Sequence, residues 1–412
     1  MNLFFDIAGY EFKKILCRKR TVVTLALVIL IGAVSVFGTV IGNYTYTDEN
    51  GNEIAVSRYE DSVTDRRYAE ELSGRVIDAD LIMEAVEAYR QVPLNGSIRY
   101  VDTTAYQNTA RRYSAIYNLV RQALNLSGIE EFQALTREQA EQFDALRREQ
   151  KKTTLDYYGE RAGLSSNMKA YWQECFDKSP ESLTYEYSGG YYRFVTIMYT
   201  TAIMAGAAIA IMLSGIFSEE YASGADSLIL SSKHGKGLVI GAKLFAAFVI
   251  SLALILLLTV LSYGETMAVW GSSGANADIT LMGNSFPYPL TVGQCAVLYV
   301  LCMTMACLLF AAITCALSAV IKTHFTTIVI MSVFLIVPMF IYVPDESPVW
   351  VFDLVNLLPT NMMAYWGTMS DYQYELFGLV IPPYVFLPVF AAVVSAACSY
   401  FSYLKFKRHQ VS

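Results

Sequence analysis

The chain has 412 residues, of which 54% are apolar and only 16% charged, with a formal net charge of −7. A soluble domain carries roughly 25% charged residues, so an ordinary soluble protein is excluded, and the acidic balance offers no footprint for nucleic acid. The charge is unevenly placed: 25 of 37 acidic and 17 of 30 basic residues lie between Asn43 and Tyr191. The chain therefore reads as an all-α polytopic membrane protein that carries one polar insert.

Residues 1–21 open with Phe4, Phe5, Ile7, Ala8, Tyr10 and Phe12, followed by Lys13, Lys14, Arg18, Lys19 and Arg20. Such a segment suits an amphipathic elbow lying along a leaflet, with its bases near lipid headgroups. The first span is predicted over 22–42. Its apolar run is too long for the core of a cleavable signal peptide, and no small-residue cleavage pattern follows it.

Residues 43–191 form the insert. Leu81, Val86 and Tyr89 recur at helical spacing, as do Tyr113, Tyr117, Val120 and Leu124. Thr136 with Gln139 behind it marks a helix start ahead of Phe143, Leu146 and Leu155. The insert is read as a mostly helical domain of a size that can bury its own core. It holds only Cys175, so no internal disulfide closes it. The other cysteines fall in or beside apolar runs and read as small buried hydrophobes. The many tyrosines read as packing groups at helix contacts and interfaces rather than as a substrate surface.

Five more spans are expected at 192–217, 238–263, 295–321, 325–343 and 380–404, against the ~20 apolar residues a crossing needs. The fifth is the shortest and contains Pro338. Loops are expected at 218–237, 264–294 and 344–379, and a tail at 405–412. Lysine and arginine occupy the N-terminal segment, the 218–237 loop (Lys233, Lys236), Lys322 and the tail (Lys405, Lys407, Arg408), while 264–294 and 344–379 hold none. Six spans place every basic loop on one side, which should be cytoplasmic. Both termini are then cytoplasmic and residues 43–191 extracytoplasmic.

Catalytic and cofactor chemistry finds little support. The three histidines, His234, His324 and His409, are scattered, and no metal-ligand spacing occurs. Lys233-His-Gly-Lys-Gly carries the Gly-Lys pair of a phosphate loop. It lacks the earlier glycine and the following Ser or Thr. No catalytic, cofactor or metal residue is expected. The spans hold almost no charge away from their ends, so an ion relay is not expected. Arg193, Lys243 and Glu265 read as interfacial, snorkelling residues.

The loop Ser218-Glu-Glu-Tyr-Ala-Ser-Gly-Ala-Asp-Ser-Leu-Ile-Leu is the informative stretch. Glu219 and Glu220 leave the second span, Gly224 permits a bend, and Leu228, Ile229 and Leu230 place apolar side chains outside the bilayer. They either dip into the interface or insert into a groove on a soluble partner.

This stretch resembles the first cytoplasmic loop of type 2 ATP-binding-cassette (ABC) exporter permeases. That family shows an acid, a glycine four residues on, a leucine run, a Ser/Thr-Pro turn and a lysine opening the third span. Here they fall on Glu220, Gly224, Leu228 to Leu230, Ser231-Ser232 and Lys243. Lys233 stands where the family often has proline, and Ala225 where it often has threonine. The N-terminal elbow, and Trp350 to Gly367 with its Asn356-Leu-Leu-Pro-Thr, look like the family's elbow and re-entrant helices. The 43–191 insert is outside its minimal pattern.

The resemblance implies a permease subunit without its own ATPase site, energised by a separate ABC ATPase and paired with a second permease copy or paralogue. The cargo class it implies is amphipathic or hydrophobic (a peptide, antimicrobial or lipid), moved outward by alternating access. The residues expected to contact the ATPase are Glu219, Glu220, Gly224, Leu228, Ile229, Leu230 and Lys243. The alternative is a membrane receptor or assembly protein whose spans merely display the outer domain.

Overall fold

The structure is a computed structural model, and it describes residues 3–48, 51–94, 101, 103–283, 286–344 and 347–409. The first residues of the expected elbow, 1–2, and the end of the expected tail, 410–412, lie outside the described residues.

Among the described residues, five helices have the length and hydropathy to cross a bilayer: Lys19–Val40, Gly189–Ser223, Gly235–Trp270, Val292–Val320 and Pro383–Lys407. They overlap the segments expected as the first, second, third, fourth and sixth spans. The third continues past its expected end at 263 to Trp270, where Gly271 stops it with φ of +79°. The fourth starts at a capping box, with Thr291 Oγ1 accepting from the Gln294 N–H and the Gln294 side chain accepting from Thr291 N–H.

The expected fifth span is a shorter apolar helix, His324–Phe340. It is α-helical to Ile336 and then tightens into a 3₁₀ turn containing Pro338. Seventeen residues at about 1.5 Å each reach about 25 Å, less than the ~30 Å hydrocarbon core. Three short helices, Val349–Asn356, Pro359–Met362 and Tyr365–Thr368, follow it. They pack back on the bundle: the Thr360 hydroxyl donates to Leu335 O at 2.8 Å, and Tyr299 OH donates to Met363 O at 2.9 Å.

The second span sits at the centre of the bundle. Ala202, Ala205, Ala208 and Ala210 are buried along it, and small side chains let neighbouring backbones approach. It packs against the first, third, fourth and fifth apolar helices. The sixth packs most extensively on the fourth. Val22, Leu30 and Val34 of the first span face away from the protein, as a lipid-facing surface would.

The polar domain is mostly helical among its described residues, with a hairpin at its start. Asn43–Thr47 and Glu53–Ser57 pair as an antiparallel hairpin, favoured by Tyr44, Thr45 and Tyr46 in the first strand and the β-branched Ile54 and Val56 in the second. Tyr89 forms the hub of the helical core. It stacks on Tyr117 at 4.7 Å and meets Phe132 edge-on at 5.2 Å. Leu81 and Val86 are buried beside it, as their spacing implies.

A second core joins this domain to the bundle. Leu155, Met168 and Trp172 pack with Phe286, Tyr288 and Met369 of the later loops. Trp172 Nε1 donates to Gln373 Oε1 at 2.5 Å, and Gln373 Nε2 donates to Tyr288 OH at 3.0 Å. A small hairpin, Tyr374–Leu376 with Leu379–Ile381, carries Glu375, which accepts from the side chains of Ser165 and Asn167. The polar domain is thereby fastened to the loops flanking the bundle.

Candidate functional site: a buried ion cluster under two short helices

The site lies at the end of the bundle bearing the N-terminal helix Leu3–Leu16. Ala8, Glu11 and Ile15 of that helix are buried, the i, i+3, i+7 pattern of one helical face. Phe4, Phe5 and Phe12 gather around Phe245 of the third span, with ring centroids 5.7, 6.3 and 6.2 Å away. The aromatic seat fixes the helix against the third span and carries Glu11 inward with it.

Glu11 meets Lys243 there. Lys243 Nζ donates to Glu11 Oε2 at 3.0 Å and to Glu220 Oε1 at 2.6 Å. Lys14 Nζ also reaches Glu220 Oε1. The Lys243 side chain is only 1% exposed, with Glu11 at 6% and Glu220 at 3%. Two carboxylates and two ammonium groups balance. Charges this deeply withdrawn from water persist only when paired and hydrogen-bonded, and charge-assisted bonds of this length are the strong kind. Just outside the cluster, Arg18 Nη2 pairs with Glu219 Oε2 at 2.8 Å, and Arg20 forms an ion pair with Glu219.

The exit of the second span is tied to the fourth and sixth. Ser318 Oγ accepts from the Phe217 and Ser218 N–H groups at 3.1 and 3.2 Å and donates to Ser214 O at 2.7 Å. Tyr221 OH donates to Ala319 O at 2.9 Å. Phe406 of the last helix packs on Phe217 and Tyr221, and His409 Nε2 lies 3.3 Å from Asp226 Oδ2.

On this joint sit two short helices, Ser218–Ser223 and Ala225–Ser231, with Gly224 between them at φ of +69°. That left-handed conformation costs glycine nothing and other residues more, so the bend is written into the sequence at one position. Leu228 projects from the second helix and is 74% exposed, while Leu230 is 7% exposed and packs into the bundle core. Ile229 is half-buried.

Of the seven residues expected to contact a partner, the structure thus brings Glu220 and Lys243 together inside the protein and leaves Leu228 outside it. The reading of Lys243 as a snorkelling interfacial residue is corrected. Its ammonium has two buried carboxylate partners, so it has no need to reach water. Glu265 is likewise buried, and lies 3.4 Å from the Val36 N–H. Arg193 remains exposed and lies over the Trp270 ring at 5.4 Å. Glu11 was not anticipated. Its signal was an acid in phase with Ala8 and Ile15 on the apolar face of the first helix.

The turn that closes the loop has a steric requirement. A Cβ on Gly235 would come within 1.5 Å of Ile229 O, whereas one on Gly237 meets nothing within 4 Å. Gly235→Ala is therefore expected to open the turn and raise the rate of tryptic cleavage after Lys233 or Lys236 several-fold. Gly237→Ala leaves that rate unchanged.

At the far end of the bundle, a cavity of about 570 Å³ opens beside the second span. Tyr192, Tyr199, Phe352, Tyr365, Trp366 and Tyr372 line it, and Tyr199 and Trp366 meet edge-on at 4.7 Å. The cavity thus lies between the central helix and the short helices that follow the fifth.

Comparison with known families gives a match. The model of a family described as "ABC-2 family transporter protein" matches residues 5–348, a stretch that takes in the N-terminal helix, the ion cluster, both short helices and the polar domain. No curated protein and no solved structure matches the chain.

Proposed function

Because the chain belongs to the ABC-2 family of transporter proteins, we propose that it is the exporter permease of an ABC system and that the joint around Lys243 receives the ATPase stroke. A permease subunit of an ABC transporter is a multi-pass membrane component that works with an ABC ATPase and carries no ATPase of its own. The observation that carries the mechanical part is the Glu11–Lys243–Glu220–Lys14 cluster. It links the N-terminal helix, the exit of the second span and the entry of the third into one rigid piece. The short helices Ser218–Ser223 and Ala225–Ser231 are the handle on that piece.

Within this reading, roles divide by exposure. Leu228 docks into an apolar groove on the ATPase, with Ile229 beside it, as an apolar knob on a short helix does. Leu230 anchors the helix from behind. Glu219, held by Arg18 and Arg20, fixes the first short helix, and Gly224 sets the angle between the two. Glu220 and Lys243 are positioning residues that act through the joint rather than through contact with the ATPase.

With the fifth helix counted as a crossing, the lysines and arginines of the loops support a cytoplasmic position for this end and both termini, and an outer position for the polar domain and the aromatic cavity. ATP binding closes the ATPase pair, the handle turns, and a pathway between two permease subunits opens outward. An amphipathic or hydrophobic cargo suits the aromatic-lined cavity, since tyrosine and tryptophan combine a large apolar face with a polar edge.

Purification from native membranes tests the assignment. The chain is expected to carry an ABC ATPase with it, and the pair to hydrolyse ATP where the chain alone does not. Hydrolysis by the isolated chain, or purification without any ATPase, overturns it.

A further inference from the structure

A smaller cavity, of about 180 Å³, lies against the aromatic one. Tyr199, Phe352, Asn356 and Trp366 line both, so the edge-on pair of Tyr199 and Trp366 stands between them. The smaller cavity is walled on its other side by Pro338, Met339, Ile341 and Val343, at and just beyond the end of the fifth apolar helix.

That end suits lipid rather than water. Ile336, Val337, Met339, Phe340, Ile341 and Tyr342 are all exposed, and a contiguous apolar surface of this kind marks contact with something other than solvent. The helix reaches only about 25 Å against a ~30 Å hydrocarbon core, so its end stays at the depth of the acyl chains. Tyr342 follows where an interfacial aromatic belongs. Met339 and Ile341 therefore border both the smaller cavity and the bilayer, and Trp366 behind them is itself 60% exposed. The aromatic cavity is thus reached sideways, past Trp366.

The walls also select a head group. No lysine or arginine is among the described residues lining either cavity, and Asp371 lines the larger. Lys151 acts on Asp371 from a neighbouring cavity that both line, and lines neither of these two. Burial pushes the Asp371 carboxyl up to about 6, so it is ionised at pH 8. An anion here would meet that carboxylate with no cation beside it. An ammonium would meet the carboxylate and tyrosine and tryptophan rings, which attract cations within about 6 Å. The larger cavity, about 570 Å³, has the size of a small-molecule site. Building on the permease reading, we propose that the two cavities form one path open sideways to the outer leaflet, and that it takes a membrane-dissolved amphipath with an ammonium head and a single apolar chain. The head lies by Asp371 and the chain runs past Trp366 to Met339 and Ile341.

Tryptophan fluorescence of the Trp350→Phe chain in lipid nanodiscs at pH 8 tests this. Trp366 is then the exposed tryptophan, since Trp172 and Trp270 are 5% and 7% exposed, and the Trp350→Phe/Trp366→Phe chain gives the background. Phospholipid brominated on its acyl chains should quench Trp366 more strongly than aqueous acrylamide does. Three probes dissolved in the bilayer share one chain and differ in head: ω-bromoundecyl-trimethylammonium, ω-bromoundecanol and ω-bromoundecyl sulfate. Saturable quenching by the ammonium is expected at a membrane fraction at least about tenfold below that needed by the sulfate, and Asp371→Asn should bring the ammonium to the level of the alcohol. Stronger quenching by acrylamide than by brominated phospholipid, quenching by the sulfate as readily as by the ammonium, or an unchanged ammonium response in Asp371→Asn overturns the proposal. The assay involves no ATPase, so its failure leaves the coupling joint untouched.

Discussion

Lys243→Met is expected to uncouple the permease from its ATPase and to destabilise the joint by about 3–5 kcal/mol, the cost of removing one partner from a buried ion pair. Methionine fills the space but leaves Glu11 without its cation and Glu220 with Lys14 alone. The N-terminal helix is then held by Lys14 on Glu220, by Ile15 in the bundle core and by its phenylalanine seat on Phe245. Glu11→Gln in the same background should cost much less than it does alone, because the charge it removes is the one left unpaired. Residues within one network couple by about 0.5–3 kcal/mol. Thermal denaturation of the two single variants and the double variant measures that coupling. Strictly additive losses would mean that Glu11 and Lys243 do not share a network.

Leu228→Asp is expected to act in the opposite way, with a large functional loss and almost no change in fold stability. The side chain is 74% exposed, and substitutions at such positions usually stay within about 0.5 kcal/mol. Docked into an apolar groove, the same position becomes an interface anchor. Losing such an anchor costs about 2 kcal/mol or more, and each 1.4 kcal/mol is tenfold in affinity. A carboxylate forced into that groove adds its own desolvation cost. Recovery of the ATPase should therefore fall by more than about thirtyfold while the melting temperature holds. Leu230→Asp, two residues on and buried in the bundle core, should lower the melting temperature as well. The pair separates a surface that docks from a surface that packs.

The bundle was legible in the sequence because each apolar helix is coded locally, in runs long enough to identify alone. Gly224 was legible for the same reason: one residue type suits a left-handed bend, and it stands where the loop turns. The fifth helix is shorter than expected, since Pro338 comes near its end and tightens it. The ion cluster was not legible as a cluster. Glu11 and Lys243 lie 232 residues apart in sequence, and no local pattern announces which acid a buried lysine will find. Only the phase of Glu11 within its helix hinted that it turns inward. The strand pair at Asn43–Thr47 is masked in the sequence by the helical spacing of the surrounding domain. The link from Trp172 to Gln373 joins residues 201 apart, so the fastening of the polar domain to the bundle was likewise beyond a local reading.

The central claim is that an ATPase grips this chain through the short helices after the second span, on the side opposite the polar domain. A photo-crosslinking residue at position 228, compared with one at position 377 in the hairpin beside the polar domain, tests it in native membranes. The claim predicts that position 228 captures an ABC ATPase and position 377 does not. Capture from position 377, or none from position 228 while the ATPase still purifies with the chain, would contradict it.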